Sequence, residues 1–211
     1  MVAAMTGTTE MSTGMADAMI DTGAEASATT ATSVNAPGRN LWRDGLVVAV
    51  LVAAVVAVVT LGKPFIDIPG VVDAAAHRVR SLNLQLFNDW STSSVWYGPY
   101  TNTFGNIALF IPVGAVLASL GQTGRWRYGQ GAVVMMALLA SLGIEATQYV
   151  FSLGYSDIDD VWTNTLGAAF GGILMARLDH ELQAKILHRL GLCCAALLTI
   201  LVCGLLAGVV G

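Results

Sequence analysis

A carboxylate set in an apolar run is the residue of this chain best placed to do chemistry. Glu145 lies in Ala140-Ser141-Leu142-Gly143-Ile144-Glu145-Ala146-Thr147-Gln148-Tyr149-Val150, and the acid-rich turn Tyr155-Ser156-Asp157-Ile158-Asp159-Asp160 follows it. An ionisable side chain at membrane depth is costly and by default faces a bundle interior or a wet cavity, where it serves a purpose. Desolvation disfavours a charged carboxylate unless a partner or water compensates, and neighbouring ionised aspartates are poor partners for it. A protonated Glu145, a bound cation or a wet cavity would each resolve that conflict. Protonated, Glu145 is a candidate catalytic acid or base. Asp157 and Asp160 are candidate metal ligands, since carboxylate oxygens suit a hard divalent cation.

Further polar residues fall three and four apart, the spacing that puts side chains on one helix face. Asn102 and Asn106 form one such stripe, and Ser141, Glu145, Gln148 and Ser152 a second. A third runs through Asp157, Asp160 and Asn164 into Gly167 and Gly171, a small-residue face that admits a close neighbour. Asn106, Glu145, Gln148, Asp157, Asp160 and Asn164 make up the candidate ligand-binding set. Asn, Gln and Ser also serve as interhelical glue at roughly 0.6 to 2 kcal/mol per contact. Glue is the better reading of Asn102, Asn106 and Asn164 taken singly, and the acids are what point to a site.

Composition says what positions these residues. Hydrophobic residues make up 55% of the chain and charged ones 11%, with a mean hydropathy of +0.67. A soluble domain carries about 25% charge, so this is a small multi-pass, all-α membrane protein. The net charge of -4 gives no basic field for nucleic acid. Cys193, Cys194 and Cys203 fall together in the last apolar run, as small hydrophobes rather than a disulfide or zinc framework. No cofactor is indicated.

A membrane-spanning helix needs about 20 apolar residues, with a lower limit of about 17. Five windows approach or meet this: 46–61, 104–120, 131–151, 161–178 and 192–210. Residues 1–40, rich in Ala, Thr, Gly, Ser and Met without hydrophobic period, read as a disordered tail. Met5, Met11, Met15 and Met19 allow a start further in, and no cleaved signal peptide is expected. Arg39 and Arg43, Arg125 and Arg127, and Arg177, Lys185 and Arg189 mark three segments as cytoplasmic, the N-terminus with them. The acidic loop at Asp157–Asp160 then faces outward, in a bacterial inner membrane.

The long outer segment, residues 63–102, conflicts with this topology through Lys63, Arg78 and Arg80, although long segments cross despite their charge. Within it Val72, Ala75, Ala76, Val79, Leu82 and Leu86 have helical spacing, which suggests an interfacial amphipathic helix; a plain loop is the alternative. Trp90, Trp96, Tyr97 and Tyr100 would anchor at headgroup level.

The run Asn106-Ile-Ala-Leu-Phe-Ile-Pro112-Val-Gly114, then Glu145-Ala-Thr-Gln148, then Asp157-Ile-Asp-Asp160-Val-Trp-Thr-Asn164-Thr-Leu-Gly167 resembles the VanZ-like family of bacterial membrane proteins. The resemblance covers residues 46–178, four helices and the outer segment, and leaves a further C-terminal helix at 192–210. It points to Asn106, Pro112, Gly114, Glu145, Gln148, Asp157, Asp160, Asn164 and Gly167. Pro112 removes a backbone donor and can kink its helix below Asn106.

The family is named for a protein associated with resistance to teicoplanin, a glycopeptide antibiotic with an acyl chain. The resemblance therefore implies an envelope role with membrane lipids as partners, and a lipid-linked or lipoglycopeptide ligand held at the outer leaflet. An intramembrane enzyme acting on a lipid-linked envelope substrate and a structural scaffold are the alternatives. Against the enzyme, no nucleophile has an obvious activator, and His77, His180 and His188 are scattered. Dimerisation through Gly167 and Gly171 stays open.

Overall fold

The structure, a computed structural model, describes residues 41–62, 65, 80–88, 90, 96–124 and 126–206. The expected disordered tail and residues 72–79 of the expected amphipathic helix lie outside these. Five long helices form: α1 (Leu41–Leu61), α2 (Gly98–Thr123), α3 (Gln130–Phe151), α4 (Ile158–Ala176) and α5 (His180–Leu206). They match the five apolar windows in order. Two short strands, β1 (Arg80–Asn83) and β2 (Gly154–Asp157), join the bundle.

By length and composition α1, α2, α3 and α5 are able to cross a membrane. At 1.5 Å per residue, the 21 residues of α1 span about 31 Å, close to the hydrocarbon thickness. Helix α4 is the shortest at 19 residues and carries two aspartates in its first turn. It tolerates Asp159, Thr163 and Asn164 because they are buried within the bundle.

The α2–α4 seam is the tightest packing. A Cβ added at Gly114 would strike the Ala168 carbonyl oxygen, one at Gly167 that of Ile107, and one at Gly171 that of Ile111. Only glycine lets the two backbones approach this closely. The face that the sequence left open for dimerisation is thus occupied within the chain by α2. Helix α1 lies against α2 and α5, where Gly45 meets Leu120 and Gly191 meets Val48. Phe110, Val116, Val133, Ala137, Ala168, Met175 and Leu187 fill the core.

Helix α5 begins well before Leu192, so Lys185 and Arg189 sit on a helix rather than in the expected loop. Asp179 explains the early start: its Oδ1 accepts the Leu182 N–H at 2.8 Å and its carbonyl the Gln183 N–H at 3.0 Å. The residues that follow are good helix formers. Residues 80–83 differ as well. They form a strand where helical spacing had suggested an amphipathic helix, pairing in parallel with β2 in the register Arg80↔Gly154 to Asn83↔Asp157. A four-residue pair is marginal alone, and the side-chain bonds described next supply what the ladder lacks. Pro112 lies inside α2, and the helix continues through it.

Candidate functional site

Local chemistry first places the acids. Helix α3 ends at Ser152, which adopts a left-handed conformation at φ 56°, and the Leu153 N–H returns to the Gln148 carbonyl at 2.9 Å. Ser152 therefore caps the helix and leaves the stripe it was expected to extend. Gly154, at φ 138°, reverses the chain into β2. Asp157 ends β2 and caps α4, its Oδ1 accepting the Asp159 N–H at 2.9 Å. Asp159 and Asp160 fall in the first turn, where the helix dipole favours negative charge.

Each carboxylate then accepts from a donor fixed elsewhere. Glu145, 8% exposed, takes the Asp157 backbone N–H on Oε2 at 2.8 Å, while Ser156 Oγ donates to the Glu145 carbonyl at 2.8 Å. Asp157 Oδ2 accepts from Asn83 Nδ2 at 2.9 Å. Both oxygens of Asp159 accept from the Phe87 N–H, at 3.0 and 2.8 Å. Asp160 Oδ1 receives Asn102 Nδ2 at 2.9 Å and Asn106 Nδ2 at 2.6 Å. Four acids and three asparagines so meet at one end of the bundle.

The candidate set divides on this geometry. Asn106, Glu145, Asp157 and Asp160 come together in the acid–amide cluster. Asn164 lies deeper and donates from Nδ2 to Ser141 Oγ at 2.9 Å, leaving its buried Oδ1 without a partner among the described residues. Gln148 turns the other way: its Nε2 donates to the Thr60 carbonyl of α1 at 3.1 Å, and its buried Oε1 is likewise unpartnered. Asp157 and Asp160 carry different amide partners, and among the described residues no three His, Cys, Asp or Glu side chains group as a metal site. Glu145 engages the backbone amide of Asp157.

Asn83, the Phe87 amide, Asp159 and Ser156 also belong to the cluster, beyond the residues that sequence spacing singles out. Asp159 stood in the acidic run in plain view. The Asn83 and Phe87 contacts bridge more than seventy residues of sequence, and only the short Asn83–Gln85 turn, closed by the Gln85 N–H on Asn83 Oδ1 at 3.1 Å, gave a local sign. Arg80, which conflicted with the charge pattern, donates to the Val150 carbonyl at 3.0 Å and lies 5.6 Å over the Tyr149 ring.

The far end of the bundle is also polar. Gln183 Nε2 donates to Gln122 Oε1 at 2.7 Å, to the Leu178 carbonyl at 3.0 Å and to the Met175 carbonyl at 3.2 Å. Gln122 Nε2 reaches the Ala176 carbonyl at 3.1 Å, and Tyr128 OH reaches that of Leu117 at 2.9 Å, with burial pushing its phenol above the ordinary value. Arg127 donates to the Gln122 carbonyl at 3.0 Å. Arg43 starts α1 at this end, where Trp42 abuts Gly124.

The family model described as VanZ/LLP1 matches residues 48–179. A curated relative, Protein VanZ of Enterococcus faecium, is 30% identical over 129 residues, which is 59% of this chain and 71% of the relative. No solved structure matches. The matched residues run from α1 through α4 and contain every residue of the acid–amide cluster, and on that match this chain belongs to the VanZ-like family of multi-pass membrane proteins.

Proposed function

We propose that the acid–amide end faces the outer leaflet of the bacterial cytoplasmic membrane and binds the donor-bearing headgroup of an envelope lipid or lipoglycopeptide, contributing to teicoplanin resistance. The observation that carries this reading is the convergence of Glu145, Asp157, Asp159 and Asp160 on fixed amide donors from β1, β2, α2 and the segment after β1. Carboxylates held this way form a preorganised acceptor surface, which suits recognition of N–H, O–H or cationic groups. Orientation follows from charge: Arg43, Arg127, Arg177 and Lys185 gather at the opposite end, and short basic segments stay cytoplasmic.

The test is growth inhibition by teicoplanin and vancomycin in a sensitive host that makes wild type, Glu145→Gln or Asp160→Asn at equal membrane levels. Protection against teicoplanin by wild type, lost in the variants, is the expected result. No protection by well-expressed wild type overturns the resistance role.

A further inference from the structure

A pocket of about 580 Å³ opens at the basic end of the bundle, where the end of α2, the connection into α3 and the connection from α4 to α5 meet. That volume falls within the range of ligand pockets. Glycine makes the room: a Cβ at Gly121 would strike the ring of Tyr128, which lines the pocket and is pinned through its hydroxyl to the Leu117 carbonyl. Gln122 lines it as well, tied to Gln183 of α5 and to the Ala176 carbonyl of α4. The walls are therefore held by partners on three helices.

Arg127 and His180 also line the pocket, both exposed and within reach of a ligand, and no carboxylate stands among the described lining residues. Arg127 donates once, to the Gln122 carbonyl at 3.0 Å. A guanidinium has five N–H donors, and among the described residues Arg127 has no carboxylate partner. The acids flanking His180 are engaged elsewhere: Asp179 accepts the Leu182 N–H, and Glu181 pairs with Lys185. Gly129, the N-cap of α3, completes the rim, and no side chain caps the first-turn N–H groups of that helix. An unopposed cation in a built pocket selects an anion.

Depth decides which anion. Helices α2, α3 and α5 end around the pocket and are long and apolar enough to cross a membrane, so their ends stand at the headgroup layer. Trp126 beside Arg127 and Trp42 against Gly124 are exposed there, as indoles at that layer are. Basic pockets between helix ends at this depth suit lipid phosphates.

We propose that this pocket binds the phosphate of an anionic phospholipid, with Arg127 as the principal charge and His180 as a further donor. Leu178 and the Tyr128 ring supply apolar surface for the glycerol and first methylenes. A soluble phosphate shares this chemistry, and the experiment separates the two sources. The inference holds whichever leaflet this end faces, so it stands apart from the reading of the acid–amide end.

The experiment places the full chain in nanodiscs of equal phosphatidylglycerol and phosphatidylcholine and counts the lipids it retains by native mass spectrometry. Wild type should keep phosphatidylglycerol over phosphatidylcholine by about fivefold, the ratio that one basic residue near an anionic lipid contributes. Arg127→Gln should lose the preference. Lys185→Gln, at the same end but outside the pocket and paired with Glu181, should retain it. Equal loss in both variants would mean a diffuse basic surface and overturns the proposal, as does a wild type without preference, a result that needs no variant to fold. In discs of phosphatidylcholine alone, millimolar inorganic phosphate should leave the melting temperature unchanged. A rise that Arg127→Gln abolishes, with no preference for phosphatidylglycerol, assigns the pocket to a soluble phosphate and overturns the lipid. Protection against teicoplanin is read separately, so failure here leaves the acid–amide reading standing.

Discussion

The two polar ends of the bundle solve the same packing problem with different residues. At the basic end, neutral amides stitch helix to helix: Gln183 and Gln122 satisfy carbonyls at the end of α4, and Gln130 Nε2 donates to the Ala169 carbonyl at 2.9 Å. The formal charges of that end, such as Lys185, point outward. At the acid end, three buried carboxylates and one half-buried carboxylate do the joining. An amide is cheaper to desolvate than a carboxylate, and the basic end demonstrates that amides suffice. The acids are therefore not explained by packing alone, which is the physical case for reading their end as the site.

Breaking the seam that the two ends share should have the largest effect. Gly114→Leu and Gly167→Leu each drive a side chain into the backbone of the facing helix, where no rotamer relieves the overlap. Losses above about 4 kcal/mol are expected of such changes, so neither variant should yield a monodisperse peak in fluorescence-detected size-exclusion chromatography. A wild-type profile from Gly114→Leu would show that the α2–α4 backbones can separate without cost.

A paired substitution separates the ends. Asp160→Ala strands the amides of Asn102 and Asn106, a loss of about 1 to 3 kcal/mol. Gln183→Leu removes a fully buried donor from three acceptors and should cost up to about 1.7 kcal/mol. Both should melt earlier in detergent, followed by tryptophan fluorescence. Only Asp160→Ala should also remove protection against teicoplanin. Equal loss of protection in Gln183→Leu would mean that the assay reports stability, and the contrast between the ends would fall.

Much of this arrangement is legible in sequence because membrane helices announce themselves by length and composition, and because residues one turn apart share a face. That logic found Glu145, Asp160 and Asn106, and placed the polar stripes at one end. It stopped at the segment 80–88. The spacing of Leu82 and Leu86 fits a helix as well as anything local can, yet the strand forms because Asn83 and the Phe87 amide find carboxylates far along the chain. Tertiary partners overrode the local period. Gln148 shows the same limit, since its place in the stripe was readable while its turn toward Thr60 depends on where α1 packs.

The β1 segment offers a smaller and more pointed change. Asn83→Ala removes the bond to Asp157 and the acceptor for the Gln85 N–H. About 0.5 to 1.5 kcal/mol is expected. Because Asp157 keeps the Asp159 N–H, α4 should hold its cap. Hydrogen exchange should speed up at the β1–β2 ladder and stay unchanged in α4. Faster exchange in the first turn of α4 as well would show that the strand supports the cap and the acids together.

The smallest effect belongs to the most visible charge pair. Lys185 Nζ lies 2.7 Å from Glu181 Oε1 one helical turn away, but the side chains are 60% and 80% exposed. Water and salt screen such a pair, and the side-chain entropy of holding it offsets most of the attraction, so Lys185→Ala should change stability by no more than about 0.5 kcal/mol. The melting point should match wild type at high salt and differ barely at low salt. A fall as large as that of Asn83→Ala, persisting at high salt, would mean that charge at the basic end is structural after all. The two ends would then differ in the sign of their charges rather than in what the charges do.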